Sequence, residues 1–519
     1  MLPITDNAAA AQARYELERA LLANTEWQLR HEEIMLAELR GNDHEFSVEW
    51  GKLIFAWWNE THSQSWRVVG YEITAAEIHL RVTRNFGRDL TTLTLRNSAH
   101  WQPAAVLNAQ QQRSSYAQTL AQLLRRHFHQ PQLKPLSVIA GYARLLMHAQ
   151  KEIALVIGVG ATETQETIDG VVAAGLSWLA SLRVSALRLC FCVPSERSQT
   201  VIERLSLLNR QPLGARLECW EVDEQAGSLT PRALVSQAEL LHTHAGELRW
   251  PAPETSVNPW RARILQLAPD VIETRAHPHL NCESFSLHGL EFARAQRSGL
   301  ARVSFGVAGL PDDFAAPAQA GLTEENFVQL ATLVRQLLQQ RTAQSSDRRH
   351  PFYRLRAEAW LESLLRRDLR ALDAELDDRF VYSQIPAWHG AERSVLDLLA
   401  VNYTGRLVVI EIKASEDAQL PLQGLDYWLR VEQARVRGEF TRRGLFTGIS
   451  LANQPPLLYL VAPRLRFHRS FNLMANCIAP EVEAYRIGLN TNWRAGVKVH
   501  TRERLSTQPQ EAQKAQEYF

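Results

Sequence analysis

The apolar and polar positions change period several times along the chain, and each change marks a candidate boundary. Residues 1 to 40 carry apolar side chains at helical spacing in YELERALLANTEWQLRHEEIMLAEL, which predicts an N-terminal helix. From 41 the pattern becomes short aromatic and β-branched runs, GKLIFAWW, SWRVVGYEI, EIHLRVTR and TTLTLR, divided by turn residues. This predicts a small antiparallel β-domain that closes with a helix near SSYAQTLAQLLRRHF, at about residue 130. From 131 to 340 strands alternate with helices (EIALVIGVG, VVAAGLSWLASL, LRLCFCV, TVIERLSLLN, RLECWEV) and end in the helix EENFVQLATLVRQLLQQR. The tract from 341 to 351, with TAQSSDRRHP, has the composition of a linker. Residues 352 to 500 alternate again: helix, three strands, helix, strand, helix, strand. A polar tail follows from 501 to 519.

Length and charge narrow the class. A chain of 519 residues exceeds one ordinary core, so about three or four domains are expected. The formal net charge is only +1, which argues against a uniformly basic surface but permits local arginine patches. Cys190, Cys192, Cys219, Cys282 and Cys477 are scattered without paired spacing, as in a reducing compartment. No apolar run reaches the ~18 residues of a membrane span, and the N-terminus has no signal-peptide pattern, so a soluble, cytoplasmic protein is expected.

The stretch LDLLAVNYTGRLVVIEIKA, from Leu396 to Ala414, holds the sharpest chemical signal. Both faces of RLVVI are apolar, which marks a central strand covered on both sides. Glu411 and Lys413 then fall where an unpaired charge costs several kcal/mol to bury. The loop Tyr403–Thr404–Gly405 is odd in length and ends on glycine, suited to a left-handed residue. Asn402 then pairs Arg406, and Asp397 faces Glu411 on one side of the hairpin. Facing carboxylates repel unless a proton or divalent cation lies between them. A hard cation is the economical occupant, with Lys413 beside it on the same face.

In element order and motif, residues 355 to 490 resemble the PD-(D/E)xK nuclease superfamily, above all its RecB-like and NucS-like branches. The resemblance implies a restriction-endonuclease-like α/β domain, a mixed sheet flanked by helices, and Mg²⁺- or Mn²⁺-dependent hydrolysis of DNA. It assigns the site to Asp397, Glu411 and Lys413, with Gln423 and Tyr427 as the family's Q-x-x-x-Y and Glu362 in AWLESLLRR as its first-helix glutamate. The ion would be held by Asp397, Glu411 and the carbonyl of Ile412. The proline of the family name is missing, since Leu396 precedes Asp397. Arg430 lies one helical turn beyond Tyr427, and with Arg435 and Arg437 it is the candidate contact to nucleic-acid backbone.

LVIGVGATET, Leu155 to Thr164, aligns with VVIEIKASED, Val408 to Asp417, and LRLCFCVP aligns with LLYLVAP. The central region therefore reads as a degenerate copy of the same fold, with Arg144, Gly158, Gly160, Ala174 and Trp178 where the C-terminal region has Asp397, Glu411, Lys413, Gln423 and Tyr427. Such glycines would let another element, or a second copy of the chain in a homodimer, approach closely. Gly-x-Gly after a strand is also compatible with a nucleotide loop. Two further readings accompany the nuclease: a non-catalytic nucleic-acid-binding or scaffold protein, and an effector whose central domain senses a nucleotide. His277, His279, Cys282 and His288 match no zinc spacing and read as structural. Trp57, Trp58 and Trp66 read as core, with a stacking surface as the alternative.

Overall fold

The computed structural model describes residues 2–505 except 5–6, 23–25, 32–33, 41–43, 50–51, 59–62, 75–76, 85–88, 98–103, 129–130, 140, 150–151, 183–187, 243–247, 249–257, 278–281, 297–301, 309–319 and 390–391. Most of the Pro-rich stretch near 250–260, His279 and the tail beyond 505 lie outside the described residues. The chain forms two compact units, one from 1–107 and 252–360, the other from 108–251 and 361–519. Among the described residues no helix is long and apolar enough to cross a membrane.

The first unit holds two sheets. An 8-stranded sheet spans the N-terminal region, and the helix Asn7–Leu22 buries Ala10, Ala13, Leu17 and Leu21 against it. The expected helix through residue 40 is corrected here: Glu26–His31 and Ile34–Arg40 are strands. Trp27 and Leu29 enter the apolar core while Gln28 and Arg30, which alternate with them, are buried as well, and a short segment covered on both faces shows no period that separates it from a helix. Trp57 and Trp66 are buried in this core, so they offer no stacking surface; the Trp58 side chain lies outside the described residues. The second sheet, with 5 strands from Ile272 to Gly321, is covered by the helix Phe327–Gln340. His277 bonds Ser284 within it, at 2.8 Å.

The expected linker at 341–351 is also corrected. Arg341 is fully buried, and its guanidinium donates to the carbonyls of Leu287, His288, Phe352, Leu355 and Arg356. A polar composition concealed a cationic anchor, because loop carbonyls satisfy a buried arginine as well as solvent does.

The second unit contains two 6-stranded sheets with the same strand order and directions. In the first lobe the order is β1 (Gln132–Ile139), β2 (Tyr142–Ala149), β3 (Glu152–Val159), β4 (Arg188–Pro194), β5 (Arg216–Asp223) and β6 (Ser228–Arg232). In the second it is β7 (Leu376–His389), β8 (Glu392–Asn402), β9 (Leu407–Ile412), β10 (Leu457–Pro463), β11 (Ala484–Leu489) and β12 (Val499–Arg504). Both run antiparallel, antiparallel, parallel, parallel, antiparallel. Strand β12 takes in residues first read as tail, since its backbone pairs β11 despite its polar side chains.

The helices repeat as well. α1 (Ala104–His127) packs Tyr116, Leu120 and Leu124 on the first sheet, while α2 (Val171–Ser181) and α3 (Gln199–Ser206) cover its other face. In the second lobe α4 (Ala357–Arg367) leads into the sheet, and α5 (Leu420–Val436) and α6 (Phe471–Asn476) cover the face corresponding to α2 and α3. Gly175 in α2 and Gly424 in α5 occupy matching places: a Cβ would come within 2.5 Å of Phe191 Cε1 in β4 or of Leu460 Cδ2 in β10. One continuous apolar core joins the helical faces of the two lobes.

The register of the two lobes differs by one residue from the sequence alignment. Ala154 pairs Arg188, Val408 pairs Leu457, and Pro194 and Pro463 end the matching strands. Ile157, not Gly158, therefore stands where Glu411 does, and Val159 where Lys413 does. A one-residue shift moves a side chain to the opposite face of a sheet. Gly158 and Gly160 face α1, where a Cβ would meet Leu120 Cδ2 at 2.5 Å and Tyr116 Cγ at 3.2 Å. These glycines are a packing seam for α1, already filled, and not a cradle for a nucleotide.

Candidate active site

Four elements converge at the C-terminal end of β9. The loop between β8 and β9 turns as its sequence demands: Gly405 has φ +82°, and Asn402 N donates to Arg406 O at 2.9 Å. Pairing from Val401↔Leu407 to Leu398↔Ile410 brings Asp397 opposite Glu411. Beyond Leu398 the ladder stops, and the Asp397 carboxylate replaces a backbone acceptor by taking the Ile412 N–H at 2.9 Å. Glu411 is only 2% exposed, in a strand otherwise made of Leu, Val and Ile. Lys413 Nζ lies 3.5 Å from Glu411 Oε1 and 3.7 Å from Asp417 Oδ2.

α4 contributes Glu362, buried at 3% exposure. It reaches Asp397 through a residue that the sequence did not single out. Gln384 Nε2 donates to Glu362 Oε2 at 2.9 Å and to Asp397 Oδ1 at 3.3 Å. Gln384 interrupts β7 with φ +51°, a conformation that costs a residue bearing a Cβ about 1 kcal/mol or more. The kink turns its amide between the two carboxylates. Nothing in the alternation of RFVYSQIPAW signals it, because the left-handed backbone arises from the tertiary setting.

α5 supplies the remaining side chains. Tyr427 is buried, and its phenol is pushed far up, first by burial and then by the charges of Glu411 and Asp397, with Lys413 pulling the other way. Gln423 lies one turn earlier, and its Oε1 is buried without a hydrogen-bond partner. Its preceding turn begins Leu420–Pro421, where proline suits the first turn of a helix.

The arginines expected to hold phosphate do not reach this site as free cations. Arg430 is 4% exposed and bound to Glu203 of α3 at 2.5 Å. Arg435 is paired with Glu432 at 2.6 Å, and Arg437 with Glu439 at 3.2 Å. Helical spacing correctly put Arg430 one turn from Tyr427, yet the opposite lobe supplies its counter-charge.

Hard oxygen donors are the chemistry that a divalent ion such as Mg²⁺ or Mn²⁺ prefers. Among the described residues no group of three or more His, Cys, Asp or Glu closes around one ion position. The side-chain oxygens of that kind at the end of β9 are the carboxylates of Asp397 and Glu411, and on α5 the Gln423 Oε1 is buried without a hydrogen-bond partner. A backbone carbonyl and water would have to complete a hard-cation sphere.

The first lobe has lost this chemistry position by position. Arg144, paired with Ile157 in register, stands in the place of Asp397, and its guanidinium lies 5.5 Å over the ring of Trp178, the counterpart of Tyr427. Arg197 donates to Ala161 O and Glu163 O, and Arg113 pairs with Glu163, closing the loop after β3. A cavity of about 620 Å³ elsewhere in this lobe is lined by Phe128, Arg188, Arg216, Glu218 and Trp220. Arg188 and Arg216 there are engaged by Glu218, at 2.6 and 3.0 Å.

No family model and no curated protein matches the chain. Among solved structures, the crystal structure of a repair endonuclease from Pyrococcus abyssi aligns over 41% of this chain and 95% of that one, with 10% identity and a TM-score of 0.15. An EndoMS–dsDNA2 complex aligns over 40% and 90%, with 12% identity and a TM-score of 0.14. At such TM-scores neither likeness carries weight, and what the site can do rests on its own geometry.

Proposed function

We propose that the second lobe is a divalent-metal-dependent nuclease that hydrolyses phosphodiester bonds of DNA, and that the first lobe is its catalytically silent copy. The observation that carries this reading is the buried Glu411 carboxylate, set across from Asp397 at a strand end with the Lys413 ammonium 3.5 Å away. A structural strand has no need of that cluster, whose burial is costly. The ion, Mg²⁺ or Mn²⁺, would be held by Asp397, Glu411 and the Ile412 carbonyl, and when bound it supplies Lewis acidity and a more acidic water.

The chain's own groups then divide the work. Lys413 presents positive charge where negative charge grows on the phosphate oxygens as water adds to phosphorus and the P–O ester bond breaks. Gln384 holds Glu362 and Asp397 in one orientation. Tyr427, kept protonated by its surroundings, can donate a hydrogen bond but does not serve as a base near neutral pH.

Labelled single-stranded, duplex, flapped and mismatched DNA, incubated with Mg²⁺ or Mn²⁺, tests the reaction. Cleavage is expected and should stop with EDTA. Lys413→Ala should lower it by roughly 10²- to 10³-fold while leaving the circular dichroism spectrum unchanged. Undiminished cleavage by Lys413→Ala at saturating metal would overturn the assignment.

A further inference from the structure

The arginines of α5 are spent on protein carboxylates, which leaves open what would hold a polyanionic substrate. The end of the sheet that carries Glu411 and Lys413 offers an answer in two loops that the site does not use. Strands β9, β10 and β11 are parallel, so the segments following β10 and β11 emerge at the same end as Lys413. That end is where open α/β sheets place their ligands. From Arg464 to Pro480, and again from Ala484 to Arg502, the sequence contains no Asp or Glu. Arg464, Arg466, Arg469 and Lys498 are exposed, and among the described residues none of them is in an ion pair.

Face and distance both agree with the site. Glu411 pairs Leu460, and Leu460 pairs Arg486, so these three share one face; Ala462 and Gly488 are the next residues on that face. The stem of Arg464 lies over Gly488, where a Cβ would approach Arg464 Cγ to 3.3 Å. Arg464 therefore sits on the Glu411 side of the sheet, its stem packed and its residue exposed. Lys413 N donates to Val461 O at 2.9 Å, which puts Arg464, three residues further on, within roughly 10–14 Å of the site lysine. Asn490 braces the second loop, bonding Lys498 N at 3.0 Å and Gly496 O at 2.9 Å, and so fixes Lys498 beside the end of β11. Leu465, 67% exposed, adds an apolar surface between the arginines.

We infer that Arg464, Arg466, Arg469 and Lys498 form the ledge along which the phosphodiester backbone of a DNA strand lies, leading it to Glu411 and Lys413. This rests on the nuclease reading for its destination, but not for the binding itself. Successive phosphates of one strand are ~3.4 Å apart along a duplex, so a ledge of this reach spans several of them.

Fluorescence anisotropy with labelled single-stranded and duplex DNA in EDTA, across a salt series, tests the ledge without cleavage. The Arg464→Gln/Arg466→Gln/Arg469→Gln/Lys498→Gln variant should lose at least about tenfold in affinity near 150 mM salt. Its slope of log K against log salt should flatten by roughly 3, at ~0.7–0.9 for each of the four lost phosphate contacts. Arg442→Gln/Arg443→Gln, exposed arginines at the end of a different segment, should leave both unchanged. Hydrolysis of bis(p-nitrophenyl) phosphate with Mn²⁺ reads the reacting groups apart from the ledge, and the fourfold variant should retain it. An unaltered slope in that variant, no DNA binding by the wild type, or an equal loss in the Arg442/Arg443 control would overturn the ledge. Failure of the wild type to hydrolyse the small ester would count against the nuclease instead, with the binding slopes still deciding the ledge.

Discussion

Replacing Glu203 with alanine would take from the Arg430 guanidinium, buried between the lobes, the carboxylate that binds it at 2.5 Å. The two side chains are 1% and 4% exposed. Removing one member of such a pair costs about 3–5 kcal/mol. The lower end is expected here, because Arg430 keeps a bond of 3.2 Å to Gln433 Oε1, and Arg204 and Asp426 still bridge the lobes at 2.7 Å. The double variant Glu203→Leu/Arg430→Met replaces charge with apolar volume and should come within ~1 kcal/mol of the parent. In the cycle whose single variants are Glu203→Leu and Arg430→Met, each leaving one charge buried, a coupling energy of about 5 kcal/mol should emerge. Urea unfolding followed by tryptophan fluorescence, checked by calorimetry, reads each corner. Because α5 carries Gln423 and Tyr427, the Glu203→Ala variant should also lose hydrolysis that the double variant regains. A cost below ~1 kcal/mol for Glu203→Ala would refute the buried bridge.

Gln384→Ala keeps the unfavourable φ of +51° but removes the amide between Glu362 and Asp397, so metal-dependent cleavage should fall by about 10- to 100-fold with little change in melting temperature. Unchanged cleavage would show that the bridge is incidental. Gly424→Ala and Gly175→Ala each force a Cβ against a side chain 2.5 Å away, and each should destabilise by ~1–3 kcal/mol in urea unfolding. A clear difference between them would argue against equivalent positions in the two lobes. Burial holds the His350 imidazole below its ordinary 6.5, against the pull of Asp347, while its Nδ1 accepts the Phe352 N–H. Its contribution to stability is therefore full above pH 6.5 and is lost as pH falls through the lower folded value. Melting curves from pH 7.5 to pH 5 should show this loss, and His350→Asn, which keeps a capping oxygen, should flatten it.

Local sequence was sufficient for the hairpin that builds the site. An odd loop ending on Gly405, between apolar strands, leaves one register that keeps both faces buried, and that register alone sets Asp397 opposite Glu411. The i, i+4 spacing of Gln423 and Tyr427 on α5, and the repeated strand–helix order of the two lobes, were legible for the same reason: short-range periodicity controls them. Tertiary structure decided what depends on partners distant in sequence. Arg430 looked like a phosphate contact until Glu203 met it, and the residues after Gln340 looked like a linker until Arg341 found its carbonyls. Gly158 aligned with Glu411 by similarity, but its face of the sheet belonged to Tyr116 and Leu120. Gln384 could take up its left-handed turn only with Glu362 and Asp397 already placed to receive the amide. A buried charge or a strained backbone is stable only in company, and the sequence names such groups without saying which of them will meet.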